Sequence, residues 1–573
     1  MVDRDLTGSE GSEGVEGAGI EGIEGMRGIV GKKILTYDST LRDGEQSEGI
    51  VLSLEDKLRI VERLDAFGID YIEGGYPASN PKDTAFFQEV AKLPLKHARI
   101  TAFGSTCKKE VKAENDEGLR DLLECGARTI ALVGKTWDKQ VTQALQTNLE
   151  ENLRMIADSI TFLKSKGVQV IFDAEHFFDG YKDNANYALA CLRIAHAAGA
   201  DSIDLCDTNG GALPFEIESV VSKVVATFPN QTIGIHCHND SGCAVANTLT
   251  AVVAGASQIQ GPVNGFGERV GNTDLLTTIA NLELKMGYEC VGAENLKQLT
   301  SVSQFVAEIC NRALPTHHPY TGASAFAHKG GLHASATARF PQAYEHVAPE
   351  AVGNTTRMLV SELAGKATLV AKAKSLGIDL DENKPQIQGI LNEIKRREGE
   401  GYSYEVADGS LAILIESQLG RFKPHFRLES FRVIVDDCES ASVAAGEVAS
   451  EAANAAASEA ANEAASEATI KIHVGEQRFV ATGEGIGPVG ALDTALRMAI
   501  TAFYPEVADI ELVDFKVRIL DENVGTDAVT RVVITSRDKQ GTWGTIGVSE
   551  NIIEASWKAL VDAIDYGLMR MGK

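Results

Sequence analysis

The sequence predicts an α/β chain: a (β/α)8 TIM barrel, then a helical linker subdomain, then a C-terminal domain built from two tandem ββα units. Three observations predict it. Eight short apolar, β-rich runs, from "KILTYD" to "SQIQGPVNG", recur after Lys32, separated by helix-like amphipathic stretches. Nearly continuous apolar strands alternating with helices describe a parallel sheet covered by helices, and eight such units in roughly 240 residues fit a closed barrel. Beyond residue 430, a strand and a hairpin-like segment precede a helix twice in succession.

In chain order, residues 1–31 are rich in Gly and Glu and cannot form a core, so they read as a disordered tail. The barrel is assigned to 32–290. Its helices "SLEDKLRIVERLDAFG" and "NYALACLRIAHAAG" end at Gly68 and Gly199, where glycine suits a left-handed cap. An open doubly wound sheet is the competing architecture, but no GxGxxG follows the first strand. Residues 291–430 read as a mostly helical subdomain. Residues 431–573 read as one small pseudo-symmetric domain carrying an Ala/Glu-rich insert at 439–468, which has helix propensity but no apolar face and is expected to be a passive loop.

Bulk properties exclude some functions. A net charge of −27 disfavours a general nucleic-acid or membrane-surface binder. No run is long enough to span a bilayer, and the nine scattered cysteines form no CxxC pair, as expected of reduced thiols in a cytoplasmic protein.

In such a barrel, chemistry sits where strands end and loops begin. Those positions offer Arg42 and Asp43 after strand one, Glu175 and His176 after strand five, Asp207 and Thr208 after strand six, and His236 and His238 at strand seven. Glu268, Arg269 and Asn272 follow strand eight. Residues two apart on a strand point the same way, so both imidazoles of "HCH" face the barrel mouth. Two imidazoles and a carboxylate suit a divalent transition metal, with Asp43 the natural third ligand and Asn272 either a further ligand or a group that holds one. Hydrogen-bonded histidines in a polar cavity are the alternative. The metal reading gains from Asp43, Glu175 and Asn272 standing at other strand ends. Gly44 is expected to make the tight turn that lets Arg42 and Asp43 point inward.

Together, "DSTLRDGEQ", "GIHCHND" and "GFGERVGN" resemble the metal-dependent acyl-CoA aldol synthases with a TIM barrel, the family of the isopropylmalate, homocitrate and citramalate synthases. The resemblance runs from about Lys33 to the C-terminus, apart from the insert. "YIEGGYPASNPKD" and "FDAEHFFDGYKDN" are most similar to the citramalate-forming branch. Ser39 replaces a common threonine and Cys237 lies between the two histidines, without loss of a ligand.

The resemblance implies condensation of acetyl-CoA with pyruvate and hydrolysis of the thioester to give citramalate, on the route to isoleucine. The alternative is 2-oxoisovalerate as acceptor, the 2-isopropylmalate synthase reaction. It implies a divalent cation (zinc, manganese, magnesium or cobalt), a homodimer, and an amino-acid effector, isoleucine or leucine, at the C-terminal domain. Arg42 would stabilise oxyanion charge, Glu175 would act as base or orient one, and Thr208 and Gln46 would bind substrate. His333 and Tyr344 lie in a segment that in this family reaches the neighbouring subunit's active site.

Overall fold

The computed structural model describes residues 30–573 except 78–80, 331–332, 334–335, 338, 362–363, 382–384, 436–465 and 521–527. All but the last two residues of the expected tail, and most of the Ala/Glu insert, lie outside the described residues. The chain divides into two compact units: residues up to Phe326 with Val347–Thr355, and Ala327–His346 with Thr356–Lys573. The expected helical subdomain is therefore shared between the two.

The first unit is a closed barrel of eight parallel strands: β1 (Leu35–Asp38), β2 (Tyr71–Gly75), β3 (Arg99–Ser105), β4 (Thr129–Lys135), β5 (Gln169–Glu175), β6 (Ser202–Asp207), β7 (Thr232–Cys237) and β8 (Gln258–Gly261). Strand β1 pairs with both β2 and β8, which closes the sheet and leaves no edge. A helix follows each strand. The helix Leu54–Phe67 begins with a capping box between Ser53 and Asp56 and ends at Gly68, in the left-handed conformation. The main apolar core lies between strands and helices, with Ile60, Leu64, Ile72, Ile130, Phe172 and Leu192 fully buried.

The barrel interior is not uniform. It holds a small apolar cluster of Tyr37, Tyr71, Ala131 and Ile171. It also holds polar residues: Glu73, Asp173, Asp204, Gln258 and Gln260 are all buried. Branched aliphatic residues usually fill such layers. Here carboxylates and carboxamides do, directly beneath the mouth.

In the second unit each C-terminal repeat is a three-stranded antiparallel sheet followed by a helix, so the ββα shorthand leaves out the leading strand. The first has strands Arg427–Val435, Ser466–Val474 and Gln477–Gly485 and the helix Pro488–Ile500; the second has Glu511–Ile519, Thr530–Asp538, Gly541–Ser549 and Ile552–Arg570. Residues Ser466–Ala468, assigned by composition to the insert, open the middle strand of the first sheet. Ala468 pairs with Val433 and is fully buried, because the in–out alternation of "ATIKIHV" extends back to Ser466.

Candidate metal and active site

The end of strand β7 delivers His236, and the residue just past it His238, with ring centroids 5.3 Å apart. The turn after β1 delivers Asp43. One ligand atom from each of Asp43, His236 and His238 lies within 4.8 Å of the others, and all three residues are buried. Asn272 joins them: its Nδ2 donates to Asp43 Oδ2 at 2.7 Å, and its backbone bridges that of His238. The loop "GFGERVGN" can curl back this way because Gly271 has φ +92°; a Cβ there would stand 2.0 Å from the Gly265 carbonyl oxygen.

Gly44 does lie in the tight turn after β1, but not through a conformation reserved for glycine. Gly44 is not left-handed; it opens a 3-10 turn over Gly44–Gln46, and a Cβ would lie 3.4 Å from Pro262 Cβ. Its small size matters for packing, and the turn is made by Arg42, Asp43 and Gly44 all donating backbone N–H groups to the Ser39 carbonyl.

Arg42 is held from three sides. Its Nε donates to Glu73 Oε2 at 2.8 Å, Nη1 lies 3.5 Å from Asp43 Oδ2, and the guanidinium sits 4.1 Å over the Phe103 ring. Glu73 also accepts from the Tyr37 hydroxyl at 3.0 Å. Burial works against the Asp43 carboxylate, but Arg42, His236 and His238 outweigh it and hold its carboxyl well below the usual range. Burial, then the charge of His236, drives His238 down to about 3, so its imidazole is neutral.

The residues fit a cation. His236 Nδ1 lies 3.0 Å from Gln260 Oε1, while Nε2 faces Asp43 Oδ2 at 3.3 Å. His238 Nδ1 and Asn272 Oδ1 are buried without a hydrogen-bond partner. Lone pairs on a neutral imidazole and a carboxamide oxygen, gathered around a carboxylate with no donor to meet them, are the donor set a divalent metal satisfies.

Around this centre, Glu175 at the end of β5 is ion-paired with Lys135 of β4 and accepts from Gln140 Nε2 at 3.2 Å. Thr208 Oγ1 accepts from the His176 N–H at 2.9 Å, which leaves its own proton to donate. Gln46 is exposed. In the second unit, the exposed His333 ring stacks on Tyr344 at 4.1 Å. Glu73, Lys135, Asp173, Asp204 and Gln260 were missed. Part of their signal was present: Glu73, Asp173 and Asp204 are each flanked by apolar residues or glycine within their strands, Lys135 ends β4, and Gln258 and Gln260 share one face of β8.

Comparison with known proteins is consistent with this geometry. The HMGL-like family model matches residues 33–306, the homocitrate synthase post-HMGL domain-like model 320–401, and the LeuA allosteric (dimerisation) domain 454–568. The (R)-citramalate synthase of Aquifex aeolicus is 48% identical over 94% of this chain and 99% of its own length. That of Streptomyces coelicolor is 47% identical over 94% and 97%. The chain belongs to the citramalate synthase family. Family members named 2-isopropylmalate synthase are more distant: the one from Methanocaldococcus jannaschii is 29% identical over 94% of this chain and 96% of its own. Among solved structures, an HMG-CoA lyase from Bacillus subtilis matches with a TM-score of 0.43 and 21% identity, covering 50% of this chain and 96% of that one. No helix among the described residues is long and apolar enough to cross a membrane.

Proposed function

We propose that the protein joins acetyl-CoA to pyruvate and hydrolyses the thioester, giving (R)-citramalate and CoA, at a divalent metal held by Asp43, His236 and His238 with Asn272 beside them. The observation that carries this reading is the convergence of those side chains at the barrel mouth, in a chain 48% identical to an (R)-citramalate synthase along nearly its whole length. A bound divalent cation supplies Lewis-acid polarisation of the keto oxygen and an anchor for the 2-oxo acid carboxylate.

The protein's own groups do the rest. Glu175 takes the methyl proton of acetyl-CoA, and Lys135 orients its carboxylate. The resulting enolate carbon attacks the keto carbon, whose π electrons move to oxygen, and that oxygen takes up a proton as Glu175 gives up the one it removed, forming the product hydroxyl. Arg42, fixed by Glu73, faces the oxyanion charge. Thr208 donates its free hydroxyl proton to the substrate carboxylate, and Gln46 lies on the exposed turn beside the site. Water then cleaves the thioester and CoA leaves with a proton. His333 and Tyr344 act as a stacked pair in a neighbouring subunit's site, which makes the working unit a homodimer. The C-terminal domain takes an amino-acid effector, isoleucine, in keeping with its match to an allosteric dimerisation domain. All eight described cysteines are free, which suits a reducing cytoplasm.

Thiol release from acetyl-CoA, assayed with pyruvate, 2-oxoisovalerate and 2-oxoglutarate, tests the substrate assignment. Faster turnover with 2-oxoisovalerate than with pyruvate overturns it.

A further inference from the structure

Inside the barrel, Asp173, Asp204, Gln258 and Gln260 form one directed hydrogen-bond chain that reaches His236. Register sets it up: His236 of β7 lies opposite Gln260 of β8, and Asp173 of β5 lies opposite Asp204 of β6. Gly234 stands between Asp204 and Gln258 in the same register. A Cβ on Gly234 would meet Asp204 Oδ1 at 2.2 Å, so only glycine lets the Asp204 carboxylate cross β7 to reach β8.

The direction of each bond follows from what each group can do. A carboxylate only accepts, and a primary carboxamide donates from nitrogen and accepts at oxygen. The Gln260 NH2 group donates to Asp204 Oδ2 and, at 3.2 Å, to Asp173 Oδ1. Asp204 is itself fixed, accepting from Gln258 Nε2 at 2.6 Å and from Ser202 Oγ at 2.5 Å. Two carboxylates on its nitrogen side leave Gln260 one orientation, with Oε1 toward His236 Nδ1 at 3.0 Å. The imidazole must then carry a proton on Nδ1, and its Nε2 is the atom turned toward Asp43, at 3.3 Å from Oδ2.

We infer that Gln260 is a positioning residue of the metal centre. Locked by Asp204 and Asp173, its carboxamide fixes His236 in the Nδ1–H tautomer, so that Nε2 is presented as a metal ligand. Outer partners of ligating histidines commonly act this way. Here the partner is a neutral amide, and the negative charge that orients it lies one step deeper in the barrel. The inference rests on the metal reading above.

The test titrates the metal-free full-length protein with Co2+ against a chromophoric chelator and records the cobalt absorption bands, with circular dichroism melting to confirm folding. Gln260→Leu removes the acceptor and is expected to weaken Co2+ binding about 10–100-fold and to shift the bands. Asp204→Asn places a second amide against the first, lets Gln260 turn its NH2 toward His236, and is expected to weaken binding likewise. The double variant Gln260→Glu/Asp204→Asn again offers an oxygen to His236, accepts from the new amide at position 204 and shares one proton with Asp173, and is expected to restore binding toward wild type. A purely structural role predicts no rescue by the swap. Tight binding by wild type with unchanged affinity and spectrum in folded Gln260→Leu overturns the inference. Should Gln260→Leu not fold, Asp204→Asn against the swap variant decides by the same criterion. Failure of wild type to bind one Co2+, or binding that survives His236→Ala, overturns the metal reading instead.

Discussion

Glu73 on the second strand holds Arg42 at the barrel mouth, its Oε2 accepting from Arg42 Nε at 2.8 Å while Oε1 accepts from Tyr37. A fully buried carboxylate with both oxygens committed sets the guanidinium in one place. Glu73→Gln keeps the shape but removes the charge and one acceptor. We expect turnover to fall about 10²-fold, the scale of losing one oxyanion donor, with metal content unchanged. Steady-state kinetics beside metal analysis checks this; wild-type turnover would show that Arg42 does not need Glu73.

The three metal-binding candidates make a separable prediction. His236→Ala, His238→Ala and Asp43→Asn should each lose metal and activity while the barrel stays folded. The apolar core between strands and helices does not include these side chains. Metal content, turnover and far-ultraviolet circular dichroism are the measurements. Full activity in any of the three refutes that residue as a ligand.

Why some of this was legible in the sequence and some was not follows from where each residue sits. His236, His238, Asp43 and Asn272 stand at strand ends in short motifs, and local spacing was enough to face them toward one point. Glu73, Asp173, Asp204 and Gln260 lie inside strands whose flanking residues are apolar. Nearly continuous hydrophobic runs concealed which face was the barrel interior, and that face is defined only once β1 meets β8. The tight turn at Gly44 was legible, but not how it is made: three N–H groups, of Arg42, Asp43 and Gly44, meet on the Ser39 carbonyl. His333 and Tyr344 were named as candidates of one segment, but their spacing of eleven residues gave no sign that the rings stack.

The Lys135–Glu175 pair at the ends of β4 and β5 gives a third prediction. Glu175→Gln should lower kcat by about 10²–10⁴-fold, the usual worth of a general base, and leave metal affinity intact. Lys135→Met should lower kcat less, because the carboxylate survives without its orienting partner. Exchange of the acetyl-CoA methyl protons with deuterated solvent reports the step directly. Undiminished exchange in Glu175→Gln assigns the base elsewhere.

Asp38 makes stability of the barrel depend on pH. Its side chain is fully buried at the end of β1, where Oδ1 accepts from Thr40 N at 3.0 Å and Oδ2 from Thr40 Oγ1 at 2.7 Å; that hydroxyl also accepts from Val263 N at 2.9 Å. Burial pushes the carboxyl up to about 7, against the hydrogen bonds from Thr40. The folded value lies above the unfolded one, so between roughly pH 4 and pH 7 the native state binds the extra proton and stability falls as pH rises. At 1.36 kcal/mol per pH unit, the loss across that window is at most about 4 kcal/mol. Asp38→Asn mimics the protonated acid, its Nδ2 donating to Thr40 Oγ1. It should therefore leave the melting temperature near pH 4 almost unchanged and raise it at pH 8. Melting curves at both pH values check this, and an equal shift at each would mean that Asp38 stays ionised in the folded protein.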